Sequence, residues 1–144
     1  MSKLPITAAV LIGLCLGIAP AVAQSQSAGQ PIDISGAGTT PEEHQAFMQA
    51  MPPEQQAGVI EACVPVIVAA SPNEQPAVAA FCKTVASSGV PAAGKTAEEN
   101  TAFVAGLAPE QQANIKAVCV PFIAKPENSE EAVLLTFCKN VSGT

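Results

Sequence analysis

The chain contains no tryptophan, no tyrosine and no arginine. It has a single histidine and five phenylalanines in 144 residues. Each shortage removes a class of function. Nucleic-acid binding needs a basic patch against phosphate, and arginine is the commonest base reader. Here six lysines face twelve acids, for a formal net charge of −6. Nucleic acid is therefore not an expected partner, and anionic membrane surfaces are disfavoured for the same reason. Protein–protein hot spots of the usual Trp, Tyr or Arg kind cannot be assembled. The lone histidine, His44, cannot form a multidentate metal site. No nucleophile stands apart for it to activate. No metal and no cofactor is expected, and the chain reads as a non-enzyme.

Long apolar runs are nearly absent as well. The one that exists, Leu4 to Ala21, follows Lys3 and precedes the small-x-small triplet Ala21-Val22-Ala23. That is the layout of a secretory signal peptide over residues 1–23, cleaved before Gln24. A membrane anchor needs about 20 apolar residues and a stop-transfer flank, whereas Pro5 and Pro20 bracket this run. A lipoprotein would carry a small residue before Cys15, where Leu14 stands. The mature chain is expected to be exported, periplasmic or extracellular, with no stable membrane insertion. It would keep 121 residues, five lysines and four cysteines, with a formal charge of −7. An even cysteine count in an exported chain points to disulfides.

Residues 24–39 are small, polar and glycine-rich and read as a flexible tail. From Thr40 the chain repeats itself at an ungapped offset of 56. Thr40, Glu42, Glu43, Ala46 and Phe47 meet Thr96, Glu98, Glu99, Ala102 and Phe103. Pro53-Glu-Gln-Gln56 meets Pro109-Glu-Gln-Gln112, Cys63-Val-Pro65 meets Cys119-Val-Pro121, and Phe81-Cys-Lys83 meets Phe137-Cys-Lys139. Such a shared register signals tandem duplication. The expected layout is repeat 1 at 40–86, a linker at 87–95 and repeat 2 at 96–142.

Each repeat reads as three helices, so the fold class is all-α: two disulfide-stapled three-helix units, six helices in a small bundle. Thr40 and Thr96 open capping boxes with Glu43 and Glu99. Pro52-Pro53 ends the first helix and starts the second. The second helix carries an apolar stripe through Cys63 and Ile67, or Cys119 and Phe122. Pro65 and Pro121 lie inside it, and each removes a backbone bond and predicts a kink. The alternative is that the helix ends near the cysteine. The third helix shows Val78, Phe81, Cys82 and Val85, then Leu134, Phe137, Cys138 and Val141, at i, i+3, i+4, i+7. Asn73 and Ser129 read as its N-caps.

The two cysteines of a repeat are 19 residues apart and flank the break between helices two and three nearly evenly. In an antiparallel hairpin both then lie about 14 Å from the turn. Of three connectivities this favours Cys63–Cys82 and Cys119–Cys138. Each should contribute about 3 kcal/mol by restricting the unfolded chain. A repeat of this size, rich in Ala and Val, needs such a staple.

Three local patterns invite a chemical reading. Gly89-Val-Pro-Ala-Ala-Gly-Lys-Thr96 matches G-x-x-x-x-G-K-[ST], but a phosphate loop needs a strand before it, and an amphipathic helix stands there. The first repeat has Gly38-Thr-Thr40 at the same place, which makes the stretch a helix cap. The acid pairs Glu42-Glu43, Glu98-Glu99 and Glu130-Glu131 fall in first turns, where they suit the helix dipole. Adjacent residues do not face each other on a helix, so these are not acid–base pairs. Asn140-Val-Ser142 is a glycosylation sequon, relevant only in a eukaryotic secretory host. His44 reads as a surface or boundary residue.

The leading functional expectation is a non-catalytic module that binds an apolar small molecule or a partner protein. Phe47, Ile67, Phe81, Phe103, Phe122 and Phe137 are the candidate lining, between hairpins that could part around an acyl chain. The alternative is a periplasmic acid-stress holdase for unfolded client proteins. With its acids protonated, five lysines, His44 and the new N-terminus would leave the mature chain near +7, and self-repulsion would expose apolar faces. In general plan, helical and disulfide-stapled, it is similar to the small periplasmic acid-stress chaperones.

Overall fold

The computed structural model describes residues 32–69, 75–125 and 129–143. The signal-peptide reading, the first part of the tail and the Asn73 cap lie outside them. Among the described residues the regular structure is all helical. The helices are α1 (Pro41–Gln49), α2 (Pro53–Ala69), α3 (Pro76–Ser88), α4 (Ala97–Ala105), α5 (Pro109–Ile123) and α6 (Ala132–Ser142). Two 3-10 turns, Pro91–Ala93 and Ser129–Glu131, lead into α4 and α6.

α1 and α4 begin alike because their sequences do. Thr40 and Thr96 stand in extended backbone, and each hydroxyl accepts from the N–H of the glutamate three residues on, at 3.2 Å in both cases. The glutamates reach back further than a minimal capping box requires. Glu43 Oε2 accepts from the N–H groups of Thr39 and Thr40 at 2.8 and 2.9 Å. Glu99 Oε2 does the same for Lys95 and Thr96, at 2.8 and 2.9 Å. One carboxylate oxygen thus clamps two consecutive amides at the head of each helix.

The chain before each clamp is folded too. Ala37 N–H donates to Ile34 O at 2.9 Å, and Ala93 N–H donates to Val90 O at 3.1 Å. Ala37, Val90 and Ala93 are buried, and Ile32 and Ile34 pack on the core. Gly38 and Gly94 then turn the chain at φ +75° and +68°. A Cβ on either would lie 2.6 or 2.5 Å from the clamping glutamate, so glycine is required on two counts. The segments read as a flexible tail and a linker therefore carry matching turns, 56 residues apart.

α2 and α5 run through Pro65 and Pro121 rather than ending at the cysteines. Both prolines are on the exposed side, where water can serve the carbonyls that lose a donor. Cys63 bonds to Cys82 and Cys119 to Cys138, with Cα atoms 5.1 and 5.2 Å apart. The staples join α2 to α3 and α5 to α6. α2 packs on α5 and α3 on α6, which makes a four-helix core, while α1 lies on α3 and α4 on α6. Gln111 Nε2 donates to Glu54 O near the start of α2, and Lys125 Nζ to Ile67 O near its end. α2 and α5 thus run in the same general direction. Phe81, Phe122, Met48, Ile60, Ile115 and Leu134 fill the centre.

One expectation changes. The cap of α6 is Glu131, not Ser129, which opens the 3-10 turn; Lys125 holds the Glu131 carboxylate at 2.8 Å. α3 starts at Pro76, its first helical residue, behind Gln75, because proline loses nothing at that position.

Candidate functional site

A groove of about 790 Å³ opens where α3 ends. Gly89, at φ +72°, terminates α3, and its N–H donates to Val85 O at 2.8 Å. A Cβ at Gly89 would come within 3.0 Å of Val133 Cγ1, so the bare glycine lets α6 approach. The floor of the groove includes Ile60, Val90, Leu134 and Phe137. Gln45 and Gln49 of α1 and Ser87 and Ser88 of α3 line it with polar groups, and among the described residues Lys95 is the charged one that lines it. Val133, 39% exposed, is an apolar side chain open to solvent there.

One wall is the stretch Val90–Lys95, and three side chains fix it. Gln56 Oε1 accepts from Ala92 N–H at 2.8 Å. Asn100 Nδ2 donates to Ala93 O at 2.8 Å. Glu99 holds the amides of Lys95 and Thr96, as above. The wall is thus tied to α2 and α4 by neutral amides at its centre and by a charged clamp at its end. That geometry also disposes of the phosphate-loop match. The Glu99 carboxylate occupies the amides that would cradle an anion, and no strand precedes the loop.

The residues expected from sequence are distributed unevenly. The four cysteines pair as expected and are buried. Of the six candidate lining residues, Phe137 alone borders the groove. Phe81, Phe103 and Phe122 are sealed in the core, with Phe47 and Ile67 half-buried beside it. Phe47 meets Phe81 edge-on at 6.1 Å, and Phe103 meets Phe137 at 6.3 Å. These rings spend their area on each other.

The buried polar residues escaped sequence reasoning. His44 is not a surface residue: it is 3% exposed, with Nδ1 2.9 Å from Thr84 Oγ1 and its ring edge-on to Phe81. The Thr84 hydroxyl is also 3.3 Å from Ala80 O, one turn back on α3. At the positions 56 further on, Asn140 Nδ2 donates to Asn100 Oδ1 at 2.8 Å. The sequon amide is therefore occupied in the fold. Glu61, only 2% exposed, sits between α2 and α5. Asn114 Nδ2 donates to its Oε2 at 3.2 Å, and its Oε1 has no partner. Burial raises its pKa, the Asn114 bond opposes that, and the Glu110 charge adds to it. For Glu43 and Glu99 the bonds from backbone N–H groups lead, and they hold the pKa below the usual 4.5.

Among the described residues no group of three or more His, Cys, Asp or Glu could hold a metal, and no helix is long and apolar enough to cross a membrane. Comparison with protein-family models, curated proteins and solved structures finds no match for the chain.

Proposed function

We propose that the protein is an exported, non-catalytic binding module that takes a small ligand with an apolar body in the groove between α3 and α6. The observation that carries this is the groove itself. Its volume falls within the range of small-molecule sites, and it combines an apolar floor with a few polar groups. Lys95 supplies a cation for an acidic head, which suits a fatty acid or similar molecule. Two disulfides are compatible with an oxidising, exported setting.

In the same reading the chain is a duplicated unit. Each copy would be a glycine turn, a clamped first helix and a stapled hairpin, with the second copy's turn forming the groove wall. The paired capping boxes, the paired turns and the two disulfides of equal spacing support it. Pro65 and Pro121 would place corresponding bends in the two central helices.

The test is binding of a fluorescent fatty acid at neutral pH to oxidised wild type and to Val133→Glu. That variant adds a charge at an exposed position without entering the core. Wild type is expected to bind, and the variant to lose at least tenfold in affinity. Binding that is absent, or unchanged in V133E, removes the groove as the site.

The acid-holdase reading is favoured by one observation. The carboxylate clamps hold α1 and α4, the two helices that no disulfide reaches. Suppression of client aggregation at about pH 3 by the oxidised protein tests it.

A further inference from the structure

We infer, on the reading of the groove as the binding site, that its mouth is gated by pH: Glu99 pins Lys95 beside it, and protonation of that carboxylate lets Lys95 swing between Gly94 and the Thr96 cap. The groove wall is tied down at two places of different chemistry. Ala92 and Ala93 are held by the side-chain amides of Gln56 and Asn100, at 2.8 Å each. Neither amide titrates. The N–H groups of Lys95 and Thr96 go to one oxygen of Glu99, at 2.8 and 2.9 Å. Thr96 also stays on α4 through its carbonyl, which accepts from Asn100 N–H at 3.0 Å, and its hydroxyl, which accepts from Glu99 N–H, so among the described residues Lys95 is the one of the pair with no second tie. A hydrogen bond to an ionised acceptor is roughly twice as strong as one to a neutral acceptor. Protonation therefore weakens the far end and leaves the near end anchored. Between the two lies Gly94 at φ +68°, a backbone position only glycine occupies cheaply. Lys95, the charged residue among the described groove lining, is the residue released.

The charged surroundings favour this response. Lys95 is the cation acting on Glu99, and it lowers the pKa further after the backbone bonds have done so. Glu98 precedes Glu99 on α4. The Pro91–Ala93 turn carries no charge, and Lys139 is the only charged residue of α6. The release therefore belongs to the acid range, below 4.5.

The first clamp provides an internal control. Glu43 grips Thr39 and Thr40 in the same geometry, yet neither residue lines the groove. Amide spectra of the oxidised protein, recorded from neutral pH to about pH 3, test the gate without any ligand. The Lys95 and Thr96 amides should titrate with one midpoint, and the Val90 and Val133 methyl signals of the groove should move with it. Glu99→Gln should abolish that midpoint at all four residues, since the amide accepts but does not titrate. Glu99→Ala should place the groove signals at neutral pH where wild type has them in acid. Glu43→Gln should leave the Lys95 and Thr96 midpoint intact. Groove signals that stay fixed while the Lys95 amide titrates would overturn the gate. So would signals that move as much in E99Q as in wild type, a comparison that stands if E99A fails to fold. Fatty-acid binding at neutral pH is measured separately, so failure of the gate and failure of the binding site are told apart.

Discussion

At the scale of single residues the most informative side chain is Glu61. A carboxyl at 2% exposure with one oxygen unpartnered is costly when ionised. The sign of its pH effect is opposite to that of the capping acids. Its pKa is raised in the fold, so the fold binds the proton more readily than the unfolded chain does. The penalty is absent below the ordinary value of 4.5 and grows as pH rises through the folded value. Glu61→Gln removes the charge and keeps the shape. It should stabilise the protein at neutral pH by about 1 kcal/mol, the low end of the cost of an unsatisfied buried group. The gain should shrink toward about pH 4, which lies below the ordinary value of 4.5 from which the Glu61 pKa is raised. Urea unfolding of both forms at the two pH values measures this, and a gain that does not depend on pH would show that the Glu61 pKa is not raised in the fold. The residue 56 positions on, Ala117 of α5, carries no such group, so the cost falls on α2 alone of the two central helices.

At the scale of elements the disulfides separate two kinds of helix. α2, α3, α5 and α6 are tied in pairs, while α1 and α4 are held by caps and packing. Replacing Cys119 and Cys138 together by alanine should cost about 3 kcal/mol, from the loop that the bond closes. The Cys63 and Cys82 pair should cost about the same, because its sequence separation of 19 is equal. Unfolding by denaturant without reductant checks both. Helix existence and cysteine pairing were legible in the sequence because both rest on periodic or metric signals. Phe81-Cys82 and Phe137-Cys138 recur at helical spacing, and two cysteines equidistant from a break can only meet if the break is a hairpin. The groove was not legible. Its wall is the Pro91–Ala93 turn, where short, small residues give no period, and the tail looked flexible for the same reason. Burial of His44 was hidden because its partner, Thr84, is 40 residues away. The phenylalanines pointed to a ligand cavity, but a chain with only five aromatic residues uses most of them to fill its own centre.

At the scale of the whole molecule, acid acts on these parts in opposite directions. Below 4.5 the two clamps lose their charge: folded-state pKa values that are depressed mean stability present above that value and lost as pH falls. Glu61 relaxes over the same fall. The disulfides do not respond at all. Loss of negative charge meanwhile leaves the lysines unopposed, and self-repulsion grows. The parts most exposed to this balance are α1 and α4, which have acid-sensitive heads and no staple. α1 places Met48 in the core and His44 on Phe81, and α4 places Phe103 on Phe137. Their release would therefore bare aromatic surface while the stapled four-helix core persists. Hydrogen exchange at about pH 3 should show protection lost first across Pro41–Gln49 and Ala97–Ala105 and retained in the other four helices. Reduction of both disulfides should abolish that difference, because the hairpins would then open as well. If α1 and α4 remain as protected as α2 in acid, these helices release no apolar surface for a client, and the holdase reading falls while the groove reading stands.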